Sequence, residues 1–542
     1  MKKNPKVYAL ILGVWAACAV ALLTACGFMV YDLFTGQGFT ASAWTAAALL
    51  LINGGMLAYM WLGSVKDFLF SFVFLLRKKK LMQKYDEIIY SDPDIKTLSA
   101  SGKENPKVLL LYCTCNDFNP DALKACMKQD YDNFQTVILD DSSNFSYIRR
   151  IDKFAKTHGV RVVRREEKVG FKAGNLNNYL QGKTDYDYFI VLDSDERIPK
   201  EYIKESLKYY AYSPKVGVVQ AAHKATKGSN LFQSLMGLSV QSNGKICQVM
   251  KNFYGSNALI GHGMMISRKC FEATHGFPHV VAEDISFAID VKNSGYDVLY
   301  APNILCEEEF PISYPCLKKR QAKWVQGNVE FMKKYNKSIT SSKMSWYEKL
   351  DVKLSHYNLP IIPMLSFLII VNTVLIGALG FDVGGYSKAL IALMVLFLVS
   401  PLIPDFFVHG RKENVFKLLG YAALNFVVYA SLVPMMIGTV TLALFGKKAK
   451  FIVTPKESKR LGIKDALLSS YDSLLFAAIV GTVTYFTYFS LVPTLLLVGC
   501  CALTPFAVLA ANVQTHKEKD ESGRGGNGRQ KGNFPKSAAA MQ

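Results

Sequence analysis

The sequence predicts an α/β domain inserted between α-helical transmembrane segments, and three observations carry that prediction. Uncharged stretches long enough to cross a ~30 Å hydrocarbon layer lie towards the two ends of the chain. Between them, from about Lys66 to His356, polarity is mixed as in an ordinary globular protein. Within that middle part, short β-rich runs alternate with helical patterns, which argues for a parallel or mixed sheet with helices on its faces. The 542 residues allow three or four units at roughly 100–200 residues per domain. A hydrophobic content of 50% excludes a disordered chain, and 11 Cys without regular spacing exclude a disulfide scaffold.

Taken in order, residues 1–65 hold a first pair of spans, the uncharged runs Val7–Tyr31 and Ala41–Val65. Residues 66–105 form an interfacial linker, and 106–345 the α/β domain. Residues 346–446 return to the membrane with Tyr357–Phe381, Ala389–Val408 (interrupted by Asp405) and Leu418–Gly446. Pro434 suggests that the last of these is re-entrant or lies flat at the interface without crossing. A loop at 447–464 carries seven Lys/Arg. In 465–515, the apolar run Ser473–Thr515 has Pro493 near its middle and reads as two spans with a tight turn. Residues 516–542 are Gly-, Lys-, Arg- and Asn-rich and read as a disordered basic tail.

The charge excess reports topology. Of the +20, which comes from 63 Lys+Arg against 43 Asp+Glu, the informative residues flank the apolar runs. Lys2, Lys3, Lys6, Arg77–Lys80, Arg411, Lys412, Lys417 and the 447–464 loop place both termini and the insert in the cytoplasm of a multi-pass plasma-membrane protein. Clustering at membrane flanks argues against nucleic acid as partner. Leu23-Thr24-Ala25-Cys26-Gly27 resembles a lipoprotein cleavage site, but cleavage there would put the insert outside, against the basic residues.

Predicted strands are Lys107–Cys113, Gln135–Leu139, Val160–Val163, Tyr188–Leu192, Val216–Gln220 and Asp297–Tyr300, with helices over Pro120–Gln129, Asn144–Lys156 and Lys200–Tyr210. Ligands of such sheets sit at the carboxyl ends of the strands. Three acidic groups stand out: Asp140-Asp141-Ser142-Ser143, Asp193-Ser194-Asp195, and Glu283-Asp284 ahead of a helix at Ile285–Lys292. Each alone reads as a turn or a helix cap; their order and strand-end positions favour a ligand site. His262, in Gly261-His262-Gly263, reads first as a packed or capping residue. Cys113 and Cys115 read as buried thiols, and Tyr485-Phe486-Thr487-Tyr488-Phe489 as an interfacial aromatic belt.

The ordered set Asp140-Asp141, Lys172-Ala173-Gly174-Asn175, Asp193-Ser194-Asp195, Glu283-Asp284 and Arg320-Gln321-Ala322-Lys323-Trp324 resembles the family 2 membrane glycosyltransferases. Phe451-Ile452-Val453-Thr454-Pro455-Lys456 is similar to the gating-loop motif of their cellulose synthase branch. The resemblance implies a GT-A fold and an inverting, processive transferase. Its donor would be a UDP-sugar, UDP-glucose first, and its product a β-glucan secreted through its own helices. Alternatives are transfer of one sugar to a lipid carrier, or a mannan or hyaluronan-like polymer. Asp284, with Glu283, would be the catalytic base. Thr114, Asp140, Asp141, Lys172, Asp193 and Lys323 would bind the nucleotide sugar. Asp193 and Asp195 would hold Mg²⁺ or Mn²⁺, hard cations suited to carboxylates beside a diphosphate. Trp324, Gln321, Arg320 and His262 would meet the growing polysaccharide. Phe451, Val453, Thr454 and Lys456 would close over the donor. Accessory secretion subunits or a homo-oligomer are implied partners besides the bilayer. Two departures are visible: the family's Gln-X-X-Arg-Trp appears as Arg320-X-X-Lys323-Trp324, and Ala282 replaces a Thr before Glu-Asp. Lys323 keeps a cation but loses the planar fork.

Overall fold

The computed structural model describes residues 3–90, 105–381, 395, 399–447 and 461–513. Seven strands form one mixed sheet: β1 Val108–Thr114, β2 Phe134–Asp140, β3 Arg161–Val163, β4 Tyr188–Leu192, β5 Val216–Ala225, β6 Met264–Ser267 and β7 Asp297–Glu308. Their order is β3-β2-β1-β4-β6-β5-β7, and β6 runs antiparallel to both neighbours while the other pairs are parallel. Period-2 alternation explains the two cores. Val108, Leu110, Tyr112, Ile190 and Leu192 pack on one face, and Leu109, Leu111, Phe189 and Val191 on the other. With both faces covered, β1 and β4 read as continuous apolar runs rather than alternating ones.

Three strands depart from expectation. β6 escaped sequence reading because Met-Met-Ile-Ser is a short apolar run that periodicity cannot assign. β5 and β7 run on to Ala225 and Glu308, past the expected Gln220 and Tyr300, because they continue to pair after a register shift between Ala221 and Ala222. That extension brings His223 and Glu308 to the end of the sheet. The helices follow their caps. Asn119 and Asn144 side chains accept from the first-turn amides of Pro120–Cys126 and Phe145–His158, and left-handed Gly159 ends the second.

On the membrane side, Lys6–Gln37 packs along Ala41–Tyr90. The second helix does not stop near Val65; it runs 50 residues, through Arg77–Lys80, into the expected linker. Among the described residues, four helices are long and apolar enough to cross a membrane, or five if Ile463–Ser469 and Tyr471–Tyr488, bent by 62°, form one span. Val415–Leu444 is one of the four, a 30-residue apolar rod with Pro434 in the first turn of its second half. Proline is tolerated at that position, so the segment is not the hairpin that Pro434 suggested. Leu495–Ala511 follows Pro493 as expected. Of the expected Ala389–Val408 span, residues 389–394 and 396–398 lie outside the described residues, and its end is the helix Ile403–His409. Phe451, Val453, Thr454 and Lys456, and the 516–542 tail, also lie outside the described residues.

The amino-terminal segment is tied to the α/β domain. Asn4 N donates to Phe253 O at 3.0 Å, and Lys3 Nζ reaches Gly255 O at 2.6 Å and Glu348 at 2.8 Å. Helix Tyr314–Ser341 joins domain and bundle: Tyr314 Oη meets Ser431 Oγ at 3.0 Å, and its face packs with Tyr421, Val428 and Val440.

Candidate active site

The carboxyl ends of β1, β2 and β4 gather the first set. Asp140 ends β2, fully buried, and accepts from Arg164 Nε at 2.7 Å and from Ser142 N at 2.8 Å. Asp141 accepts a fork from Arg165, Nε at 3.0 Å and a terminal nitrogen at 2.7 Å. Thr114, at the end of β1, donates to Asp117 at 2.9 Å, and its carbonyl accepts from Asp141 N at 3.0 Å. Sequence reading missed Arg164, Arg165 and Lys168. The signal was there, since Arg164 directly follows the short strand β3.

Arg165 also donates to Val169 O at 2.5 Å and Phe171 O at 2.7 Å, which fixes the turn before Lys172. That turn holds Gly170 and Phe171 at positive φ. Gly174 sits against it so closely that a Cβ would lie 1.9 Å from Val169 O. Lys172 opens the next helix, Phe171–Leu180, and its Nζ bonds to the Asp193 carboxylate and to Gly261 O, the latter at 2.8 Å. Burial opposes its charge most strongly, but Asp193, Cys113 and Glu283 together outweigh burial and hold the ammonium above its ordinary value. Asp195 accepts from Glu309 N at 3.3 Å. Asp193 and Asp195 alternate past the end of β4 and offer only hard oxygen donors, which fits Mg²⁺ or Mn²⁺ beside a diphosphate.

Glu283 and Asp284 occupy the first turn of Glu283–Asn293, where the helix dipole favours negative charge. Asp284 comes up against Gly261; a Cβ there would lie 3.4 Å from its Oδ2. Burial pushes both carboxyls up, with Asp284 adding to the shift of Glu283, which reaches about 7. Lys172 and Lys323 pull both back towards ionisation. The expected base and the Lys172–Asp193 pair therefore share one site.

Beside it lies the expected acceptor group. Buried Arg320 is sandwiched between the rings of Phe310 and Trp324, each centroid 4.6 Å away. Trp324 is half exposed, whereas Gln321 is buried in packing and does not face the site's solvent side. Arg320 lies within the fields of Glu308 and Asp195 on one side and of Tyr429, from the Val415–Ser431 helix, on the other. His262 is held between Glu196 and Glu308 at 3.3 and 3.2 Å. Burial opposes its protonation, but Glu196 raises its pKa well above the usual imidazole range. In return, burial works against the Glu196 charge, yet His262 and His223 hold its carboxyl down at about 2. Glu196, His223 and Glu308 were not anticipated, though Glu196 directly follows Asp195 in sequence. Cys113 and Cys115, expected to be buried, are half-buried, and desolvation pushes the Cys113 thiol up to about 12.

Residues 188–407 match the glycosyl transferase family group 2. Over that stretch the chain is similar to this glycosyltransferase family. Its seven-stranded sheet between helical layers is the GT-A-type α/β core. A probable glucomannan 4-beta-mannosyltransferase 6 of Oryza sativa subsp. japonica is 23% identical over 297 residues, which cover 51% of this chain and 50% of the rice protein. The chain thus matches about half the length of that relative. Among solved structures, a mannosyltransferase from Pyrobaculum calidifontis in complex with GDP-Man and Mn²⁺ is 19% identical, with a TM-score of 0.43, covering 68% of this chain and 99% of that one. Residues 1–349 of TarS from S. aureus with UDP-GlcNAc are 14% identical, with a TM-score of 0.32, covering 56% and 92%.

Proposed function

We propose that this protein is a membrane-embedded, inverting and processive hexosyltransferase that draws on a nucleotide sugar in the cytoplasm of the cell and passes a β-linked glycan through its own helices. The observation that carries this reading is the meeting of Asp284, Lys172 and Asp193 around Gly261. Asp193 and Asp195 would hold the divalent cation, which supplies charge neutralisation at the departing diphosphate. Lys172 orients Asp193 and adds a cation on the leaving-group side. Asp284 takes the proton from the acceptor hydroxyl, and Glu283 beside it raises its basicity. Trp324, braced by Arg320, offers a flat face on which the terminal sugar can stack.

Processivity and secretion draw support from a cavity of about 590 Å³ in the helix bundle. Its walls are mainly apolar, with Asn358, Thr373, Asp405, Tyr421, Asn425 and Tyr429 adding polar groups. An ionisable residue such as Asp405 is expensive within a membrane and marks a polar path. Tyr429 links this cavity to Arg320 and so to the transfer site. UDP-glucose and a β-glucan are the first reading of donor and product. A mannosyl donor and a mannan form the second, favoured by the similarity to the rice mannosyltransferase.

The test offers membranes holding the full chain labelled UDP-glucose and labelled GDP-mannose in turn, with Mg²⁺ or Mn²⁺. The expected result is label in a large product from one donor, degraded by the matching β-glycosidase. A product one sugar long, extractable with lipid, would overturn processivity; no transfer from any sugar nucleotide would overturn the reading as a whole.

A further inference from the structure

Behind the Asp193–Asp195 strand end, side chains from four places in the fold converge. Glu196 follows β4, His223 lies on β5, His262 precedes β6 and Glu308 ends β7. Pairing of β5 with β7 sets His223 opposite Cys306 and Ala225 opposite Glu308. Glu196 is fully buried: its Oε1 is 2.9 Å from His223 Nε2 and bonds it, and its Oε2 lies 3.3 Å from His262 Nδ1, which forms no hydrogen bond among the described residues. Gly263 N donates to the same carboxylate at 3.0 Å. Only glycine lets this knot close, because a Cβ at position 263 would lie 2.3 Å from Glu196 Oε1 and 2.5 Å from His223 Nε2.

Each ring keeps one further nitrogen. His262 Nε2 lies 3.2 Å from Glu308 Oε2, and His223 Nδ1 is buried with no partner among the described residues. One nitrogen of each ring and one Glu308 oxygen fall within 4.8 Å of one another.

We propose that His223, His262 and Glu308 form a second divalent-cation site, nitrogen-rich, which takes Zn²⁺ or Co²⁺ in preference to Mg²⁺. Bonds of roughly 2.0–2.2 Å in tetrahedral geometry set ligand atoms about 3.3 Å apart, close to the spacing seen between His262 and Glu308. Two imidazoles with one carboxylate leave a fourth position for water or a sugar hydroxyl. A buried carboxylate on the far nitrogen of the ring is the usual support of a metal-binding histidine; Glu196 supplies it to His223 and lies 3.3 Å from His262 Nδ1. Imidazole donors suit Zn²⁺ and its neighbours, while Mg²⁺ prefers oxygen such as Asp193 and Asp195 offer. Cys306, grouped with Glu196 and His223 within 4.8 Å, adds a soft donor nearby.

Metal binding tests this site without reference to turnover. The purified full-length protein in detergent is stripped with EDTA, then titrated with Co²⁺ alone. The expected result is one Co²⁺ per chain with visible absorption of a nitrogen-ligated ion, displaced by Zn²⁺ and not by Mg²⁺. It persists in the Asp193→Asn, Asp195→Asn double variant and is lost in His262→Ala. Glu308→Gln, at the less buried edge, weakens Co²⁺ binding about 10–100-fold with its melting temperature retained, which separates ligand loss from misfolding. Failure to bind stoichiometric Co²⁺, or binding that survives both His262→Ala and Glu308→Gln, would overturn the proposal and leave a metal-free network of hydrogen bonds.

Discussion

Two clusters of carboxylates lie in the same domain and are treated in opposite ways. At the ends of β1 and β2, each acid has its own arginine: Arg164 on Asp140 at 2.7 Å, and the Arg165 fork on Asp141. At the start of Glu283–Asn293, two acids sit side by side in a buried place and share the more distant fields of Lys172 and Lys323. The first arrangement fixes geometry, since a bidentate guanidinium holds a carboxylate rigidly for recognition. The second raises proton affinity, since burial and a like charge both favour the neutral form. On the function proposed above, one cluster would bind the donor and the other would move a proton.

Several substitutions can break that contrast. Asp284→Asn removes the proposed base while keeping its size, and the initial rate of sugar transfer should fall by about 10²–10⁴-fold in a radiolabel assay. Arg165→Ala frees Asp141 and loosens the turn that carries Lys172. We expect the donor KM to rise by about tenfold, equivalent to ~1.4 kcal/mol, with kcat changed less; an unchanged KM would remove the binding role. Gly174→Ala forces a Cβ against Val169 O, and thermal denaturation should show a loss of about 1–3 kcal/mol.

The pH profile supplies a finer test. A base whose carboxyl is raised by burial works only when ionised, so transfer should fail as pH drops through a value above the ordinary ~3.9 of Asp. Glu283→Gln deletes the neighbouring charge and should move that acid limb to lower pH; an unmoved limb would separate Asp284 from Glu283. Lys323→Arg, which restores the planar fork, should have the smallest effect, within a few-fold of wild-type kcat/KM for the donor.

Much of this was legible in the sequence. Asp140 and Asp193 could be placed because apolar strands end where they begin, and strand ends are where such sheets bind ligands, whereas Asp284 was placed by its motif at a helix start. Lys172 and Trp324 followed from their motifs. The Glu196–His223–His262–Glu308 group was not legible, because it depends on how far β5 and β7 stay paired and on a strand, β6, too short to announce itself. The Arg164 and Arg165 pairings were hidden for a different reason: they join side chains 24 residues apart through the pairing of β2 with β3. Asp405 was read as an interruption of an apolar run; its bond to Tyr421 at 2.6 Å explains how a carboxyl is accommodated there. Gln321, expected at the acceptor, is buried in the packing of its helix, which a motif alone does not reveal.

The most direct test crosses the two clusters in one experiment, measuring donor Kd and single-turnover transfer rate for Asp141→Asn and Asp284→Asn. The account predicts that Asp141→Asn weakens donor binding and leaves the saturated rate near wild type. It predicts the reverse for Asp284→Asn, with donor binding intact and transfer lost. An Asp284→Asn variant that binds donor and transfers sugar at the wild-type rate would contradict the account.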